Sequence, residues 1–465
     1  MGQDKTAHFD TSDAERERSS LGPFFVLAGL LVAVAGILGG ASRENPLRLA
    51  MVELSALPVG VLAIRRIMQD RAAIAPLALL TLIFAVPLLQ LLPLPPWLWS
   101  RLPGQAARVE ALALANLTRP WLPLSLAPSE TASMLLALLP PAAMFLATPL
   151  LATEQARRLA WLWIGLAVAG LVLGIAQIAA PAGSPAYPYR ATNNGSLVGL
   201  FANRNHEAGF LLALLPFAAA LMAPPPRRRE AGARPGPPSP SVLRLWLVGL
   251  FLVMSVVALG VIHSRAGIIL AAPALLAALA VLWRGAGRRR GRRPVAIVAG
   301  VVILAVAVVA VFGLSPILAR FGPQTAGELR FEAWPSVAAA AVSFQPLGSG
   351  LGSFDRVFQA VEPLNLVAVT YFNHAHNDFL ELWLETGWAG AAVLCVFTLW
   401  FVRAACQAWR RGSGLAQAAS AAILLMMAES LVDYPLRTEA LMVLFAFSCG
   451  LLAAPAVSAD GTHRS

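Results

Sequence analysis

The sequence predicts an all-α polytopic membrane protein with about 12 transmembrane helices. Three observations carry that prediction. The 465 residues are 58% hydrophobic and 13% charged, where a soluble domain carries about 25% charged residues. Mean hydropathy is +0.69, and apolar runs of roughly 17–22 residues, the length that crosses a bilayer as a helix, recur along the chain. The Lys and Arg residues are also unevenly distributed between alternate connections, as the positive-inside rule requires of a membrane protein.

In chain order, residues 1–21 are polar and of mixed charge, forming a cytoplasmic tail with no cleavable signal peptide evident. Residues 22–223 hold the first six predicted spans, at 22–40, 46–64, 73–93, 132–150, 159–180 and 207–223. Between the third and fourth, the outer segment 94–130 carries Trp97, Trp99, Trp121 and several prolines. Its 97–118 part has a helical apolar pattern interrupted by Arg101, Arg108 and Glu110, which suits a helix lying in the membrane–water interface with Trp anchors. Residues 224–243, PPPRRREAGARPGPPSPSVL, read as a flexible basic cytoplasmic linker. Residues 244–314 hold spans at 244–262, 267–283 and 295–314, with a short basic loop at 284–293. Residues 315–386 form a large outer loop between the ninth and tenth spans. Residues 387–455 complete the bundle with spans at 387–403, 416–431 and 439–455, and 456–465 form a second cytoplasmic tail. With both termini inside, roughly two-thirds of the 35 Lys and Arg fall on the shorter inner segments and adjoining span ends.

This distribution also accounts for the net charge of +11 without nucleic acid as a partner; membrane lipids are the expected surroundings, and contact with anionic headgroups is the alternative role of the basic loops. Cys395, Cys406 and Cys449 lie in or beside apolar segments, so no disulfide framework is indicated.

The polar residues that resist this apolar background gather on the outer side, in YRATNNGSLVGLFANRNHEAGF (189–210), HSRAG (263–267), ELRFEAW (328–334), HAHNDFLEL (374–382) and DYPLR (433–437). A charge in the apolar slab costs about 2.5–3.5 kcal/mol at a helix centre on insertion scales, so such residues face a cavity or a partner. Arg190, Arg204, Arg265, Arg330 and Arg437 all lie on this side. Guanidinium forks match phosphate oxygens and suit a phosphorylated or diphosphate-bearing lipid. The competing reading is local pairing: Arg437 with Asp433, Arg330 with Glu332 or Glu328, and Arg204 with Glu207.

His376 opens a helical pattern in which Phe379, Leu380, Trp383 and Leu384 share an apolar face. A helix N-terminus disfavours imidazolium, and a neutral imidazole is what a general base requires. Asn377 or Asp378 is placed to cap the helix or orient substrate hydroxyls. Two alternatives stand beside catalysis. His374, His376 and Asp378 with Asp355 and His206 form a conceivable metal set, although no HExxH or other zinc spacing is present; equally, the histidines could serve only to cap the helix. His206 and His263 read as interfacial side chains. Gly348, Gly350 and Gly352 read as a tight turn folding the loop back on the membrane, not as a phosphate cradle. No nucleotide-binding or nucleophile-elbow motif occurs in a suitable context.

These blocks resemble the O-antigen ligase and polymerase superfamily. HNDFL at 376–380, within HAHNDFLELWLETGWAG, matches that family's H-N/S-x-x-L pattern. Arg190 followed by GLFANRNHEAGF resembles its Arg…G-x-F-x-N-x-N block through Gly199, Phe201, Asn203 and Asn205. SRAG at 264–267 and RFEAWPSVAAAAVSFQPLGSGLGSF complete the resemblance, in the family's order, over 189–390.

The resemblance implies a GT-C-like glycosyltransferase of the bacterial inner membrane, with its active site on the periplasmic face. It implies metal-independent, inverting transfer without a cofactor. The donor would be a glycan on undecaprenyl diphosphate, and the acceptor lipid A–core in a ligase or another lipid-linked repeat in a polymerase. Carried over residue by residue, His376 is the candidate base. Arg190 and Arg265 are the first diphosphate contacts, Arg330 and Arg204 the second. Asn203, Asn205, Asn377, His374 and Asp378 are candidates for orienting substrate. A polysaccharide or lipid transporter is the competing class, supported by polar cavities in polytopic bundles generally; the one-sided clustering of polar residues favours an enzyme. A third reading is an assembly or regulatory protein with an ordered outer loop.

Overall fold

The computed structural model describes residues 22–42, 45–70, 74–222, 242–286, 327–367, 371–411 and 413–454, together with 300 and 303. Nearly all of the predicted ninth span (295–314), the two tails, nearly all of the 224–243 linker and most of the 284–293 loop lie outside the described residues.

Among the described residues the fold is a helical bundle with almost no sheet. Its helices are α1 (Pro23–Leu38), α2 (Pro46–Asp70), α3 (Ile74–Leu91), α4 (Pro96–Trp99), α5 (Ala106–Leu114), α6 (Pro128–Ala137), α7 (Leu139–Ala147), α8 (Thr153–Ala179), α9 (Arg204–Met222), α10 (Val242–Ile262), α11 (Arg265–Ala286), α12 (Gly327–Ser343), α13 (Phe354–Val361), α14 (Asp378–Arg411), α15 (Gly414–Glu429) and α16 (Glu439–Ala453). Among the described residues, six helical segments are long and apolar enough to cross a membrane and five shorter apolar helices accompany them. The eleven helical segments coincide in position with eleven of the predicted spans.

The apolar runs set where these helices form, and the lipid-facing side sets what they expose. Large hydrophobic residues such as Leu54, Val172, Trp246, Leu276 and Leu399 are more than half exposed, the pattern expected where the surroundings are hydrocarbon. Helix α9 is the exception and the axis of the bundle. Every residue from His206 to Met222 is buried, and the helix packs mainly against α11, α15 and α10. Small residues make this close packing possible, as in membrane helices generally. Gly267 of α11 lies against Ala208, and Gly209 leaves room for the Glu429 carboxyl of α15.

Several boundaries differ from the sequence expectation. The 97–118 stretch is two helices, α4 and α5, with a turn between them. Trp99 is buried and donates to the Pro120 carbonyl at 2.9 Å, whereas Trp97 and Trp121 are about two-thirds exposed. The flanks of this segment pair as a two-residue antiparallel ladder, with Pro93 opposite Pro123 and Leu94 opposite Leu122.

The predicted start of the tenth span at 387 coincides with a break in α14 at Gly387 (φ 58, ψ −146), and a further helical stretch from Asp378 precedes it. Only glycine adopts that backbone without strain, and a Cβ there would also overlap the Pro346 carbonyl. The break exposes carbonyls, and the glycine turn satisfies them. Ser349 N–H donates to Leu384 O at 3.0 Å and Gly350 N–H to Glu385 O at 2.9 Å. From α3, the Gln90 amide adds a bond to Glu385 O at 2.8 Å and accepts from Leu351 N–H at 2.9 Å. These turn N–H groups are thus committed to the helix break. A second small core of Ala333, Val337, Ala341, Phe344, Phe354 and Phe358 packs beneath Trp383 and Leu380, so the described part of the 315–386 loop is a folded cap on the bundle.

Candidate functional site

The site forms where the cap meets the N-terminal ends of α9 and α11. Helix α14 begins at Asp378 rather than His376, with Asn377 as its N-cap: Leu380 N–H donates to Asn377 Oδ1 at 3.0 Å. His376 stands one residue before that cap in a left-handed conformation, φ 51. The segment is held from two sides. Trp334 of α12 donates to the Ala375 carbonyl at 2.9 Å, and Ala375 N–H donates to Glu381 at 2.8 Å.

The decisive partner of His376 is Asp433, in the 430–438 connection between α15 and α16. His376 Nδ1 lies 3.3 Å from Asp433 Oδ1. The group paired with the His376 imidazole is therefore a carboxylate and not only a helix terminus. That carboxylate has no exposed side-chain surface. Its Oδ1 also accepts from Tyr434 N–H at 2.9 Å, while Oδ2 accepts a short bond from the Asn205 amide and lies 3.7 Å from Arg330 Nη1. Burial alone would raise the Asp433 carboxyl. The His376 hydrogen bond and the charges of His376, His206 and Arg330 outweigh it and hold the group well below the usual carboxylate range. An ionised Asp433 orients the ring with Nδ1–H donating, which leaves Nε2 as the available acceptor.

The Tyr434 ring is surrounded by three imidazoles, with centroids at 4.9 Å from His206, 4.3 Å from His374 and 4.8 Å from His376. The His374 and His376 side chains are 2% and 18% exposed, and His206 is 2% exposed as a residue. Only His376 of the three is open to an incoming molecule. The Tyr434 hydroxyl bonds the side chains of Asn203 and Asn373, and burial with the nearby Asp433 charge pushes it above the ordinary phenol range.

The arginines come together by segment. Arg204 and Arg265 are the first residues of α9 and α11, which touch at Ala208 and Gly267. Two helix N-termini therefore lie side by side, each favouring an anion. The Arg190 loop folds onto the same end: Arg204 N–H donates to Asn193 Oδ1 at 3.0 Å, and Thr192 donates to the Ala202 carbonyl at 2.9 Å. Gln177 of α8 holds that loop with its amide, donating to Gly199 O at 2.9 Å and accepting from Gly199 N–H at 2.8 Å. Arg330 donates to the Val432 carbonyl at 2.9 Å and is about one-fifth exposed.

Other candidates have internal roles here. Asn203 accepts from Asn205 N–H at 2.9 Å and Asn205 reaches Asp433, so both brace the site at the N-terminal end of α9. His374 faces Glu381 at 2.8 Å, Asp378 accepts from the Ser430 hydroxyl at 2.8 Å, and both are buried. His374, His376 and Asp378 thus turn to three different partners rather than to one point.

The local pairings foreseen for the arginines are replaced. Arg330 meets Asp433, not Glu332 or Glu328. Arg437 meets Asp378, Glu381 and Glu385, not Asp433. Glu207, the expected partner of Arg204, is buried against Gly199 and Gly170. For Arg330 and Arg437, helix packing brings carboxylates from distant positions of the chain to the guanidinium. Asp433 as the partner of His376 was not foreseen. Its signal in sequence is a carboxylate at the end of an apolar span, close to Tyr434.

No curated protein matches the chain. Residues 249–395 match the model of a family described as O-antigen ligase. That stretch runs from α10 through Arg265, Arg330, the glycine turn and His376 into α14. The family supports a ligase- or polymerase-like function, a glycosyltransferase-like activity, and lipid-linked glycan and acceptor substrates in a membrane. The apolar helices agree with a multi-pass membrane protein. Over residues 249–395, about a third of its length, the chain is thus similar to the O-antigen ligase superfamily.

Proposed function

We propose that this protein transfers a glycan from undecaprenyl diphosphate to a hydroxyl of lipid A–core, as an O-antigen ligase, at the periplasmic face of the inner membrane. The observation that carries this reading is the His376–Asp433 pair. It is a solvent-reachable imidazole backed by a buried carboxylate, beside Arg330 and two arginine-bearing helix N-termini.

The reaction is a single displacement without metal or cofactor. An acceptor hydroxyl donates its proton to His376 Nε2 as its oxygen bonds to the anomeric carbon. The bond from that carbon to the diphosphate oxygen breaks on the opposite face, inverting the configuration. Charge that develops on the departing diphosphate is met by Arg190, Arg265, Arg204 and Arg330, aided by the N-termini of α9 and α11. Asp433 stabilises the imidazolium formed in the step.

The test is the surface polysaccharide of cells lacking the protein, complemented with wild type or His376→Ala and resolved by chain length on a gel. Loss of polymer-capped lipid A–core with accumulation of long lipid-linked polymer supports a ligase. Core carrying a single repeat assigns polymerase activity instead, and full complementation by an inserted His376→Ala protein defeats the mechanism.

A further inference from the structure

Three acids of α14 share one helical face, since Asp378, Glu381 and Glu385 are spaced by three and four residues. All three are buried, and the group they converge on is Arg437, itself 8% exposed. Its Nε lies 3.5 Å from Asp378 Oδ1, and its Nη1 lies 3.5 Å from Glu381 Oε1 and 3.0 Å from Glu385 Oε2. Burial would lower the guanidinium, but the three carboxylates outweigh it and raise it further above its ordinary range.

Each acid makes its other bonds to a different part of the site. Glu381 takes His374 Nδ1 and Ala375 N–H, both at 2.8 Å, and so holds the two residues that precede His376. Asp378 takes the Ser430 hydroxyl at 2.8 Å and Leu436 N–H at 3.3 Å, while its own N–H donates to Ser430 O at 2.9 Å. It thereby holds the connection that carries Asp433 on both sides. Glu385 takes Phe354 N–H at 3.1 Å and a backbone bond from Gly352, which holds the glycine turn. Arg437 bonds to protein carboxylates throughout and does not need to touch substrate.

We propose that Arg437 is a positioning residue: by gathering Glu381 and Asp378 it sets the register between His376 and Asp433. The guanidinium fork is what this requires. It reaches several carboxylates at fixed angles, whereas an ammonium acts as a single point charge. Without a central cation, buried like charges on α14 would repel and release their outer bonds.

The proposal rests on the transferase reading above, and the experiment separates the two. Transfer is measured in nanodiscs with a lipid-linked glycan donor and lipid A–core, for wild type, Arg437→Lys, Glu381→Gln, Glu385→Gln and His376→Ala, each first checked for membrane insertion. Arg437→Lys and Glu381→Gln are expected to lower kcat by about tenfold or more, with KM for the donor within about twofold. Glu385→Gln, which takes away the carboxylate charge that Arg437 meets at 3.0 Å as well as loosening the glycine turn, is expected to lower kcat in the same direction by a smaller factor. If Arg437→Lys fails to insert, Glu381→Gln decides alone. Wild-type kcat in an inserted Arg437→Lys or Glu381→Gln, with His376→Ala inactive, overturns the positioning role and spares the transferase reading. An active His376→Ala overturns that reading itself.

Discussion

Replacing Asp433 with Asn tests the proposed chemistry with almost no change of shape. The carboxylate has two sides. Oδ1 accepts from Tyr434 N–H at 2.9 Å and faces His376 Nδ1 at 3.3 Å; Oδ2 accepts from the Asn205 amide and faces Arg330 at 3.7 Å. An Asn side chain keeps one acceptor and puts two donors where the other oxygen was. If its oxygen stays on the Tyr434 and His376 side, its NH₂ confronts the Asn205 NH₂ and Arg330. If it flips, His376 loses its acceptor. Either way the charge that stabilises an imidazolium is gone. A hydrogen bond to a charged group contributes about 1.5–3 kcal/mol. At 1.36 kcal/mol per tenfold, kcat should fall roughly 10- to 150-fold, with donor KM little changed. The assay is transfer from a lipid-linked donor to lipid A–core in nanodiscs, quantified on a gel against equal amounts of inserted protein. A kcat within about twofold of wild type, alongside an inactive His376→Ala, would refute the dyad.

Further expectations follow from the same geometry. Because the Asp433 carboxyl is depressed in the fold, its contribution to stability is full above the ordinary carboxylate pKa of about 3.9 and declines as pH falls from there toward the folded value; thermal unfolding of solubilised protein between pH 7 and pH 3 should show a steeper acid loss in wild type than in Asp433→Asn. Gly387→Ala forces a side chain into a left-handed backbone and against the Pro346 carbonyl; it should cost at least about 1–3 kcal/mol and lower the unfolding temperature, and an unchanged temperature would argue against the break. Gln177→Ala removes four amide bonds from the 186–199 loop; if that loop presents Arg190 to the diphosphate, donor KM should rise severalfold while kcat changes less.

Much of the bundle was legible in the sequence, since a span is a local property. A run such as Trp161–Ile178 is long and apolar enough to cross hydrocarbon, and inside hydrocarbon the backbone has no alternative to bonding itself as a helix. The candidate residues were legible for a related reason: His376, Arg190 and Arg265 stand out against so apolar a background because their presence needs explaining. Where apolarity is not the organising force, the boundaries shifted. The helical stretch that precedes the break at Gly387, from Asp378 on, forms because it buries acids against Arg437 and Trp383 against the cap.

The partners were decided only by the tertiary structure. His376 meets Asp433 across 57 positions, Arg330 reaches Val432 across 102, and Arg437 reaches Glu385 across 52. Sequence establishes that a buried charge must be compensated, but near neighbours along a helix offered plausible compensation for each arginine. The choice among partners belongs to packing. Small residues let α9 approach α11 and α15, that approach sets where the 430–438 connection crosses the bundle, and the connection carries Asp433 to the histidine and Arg437 to the acids.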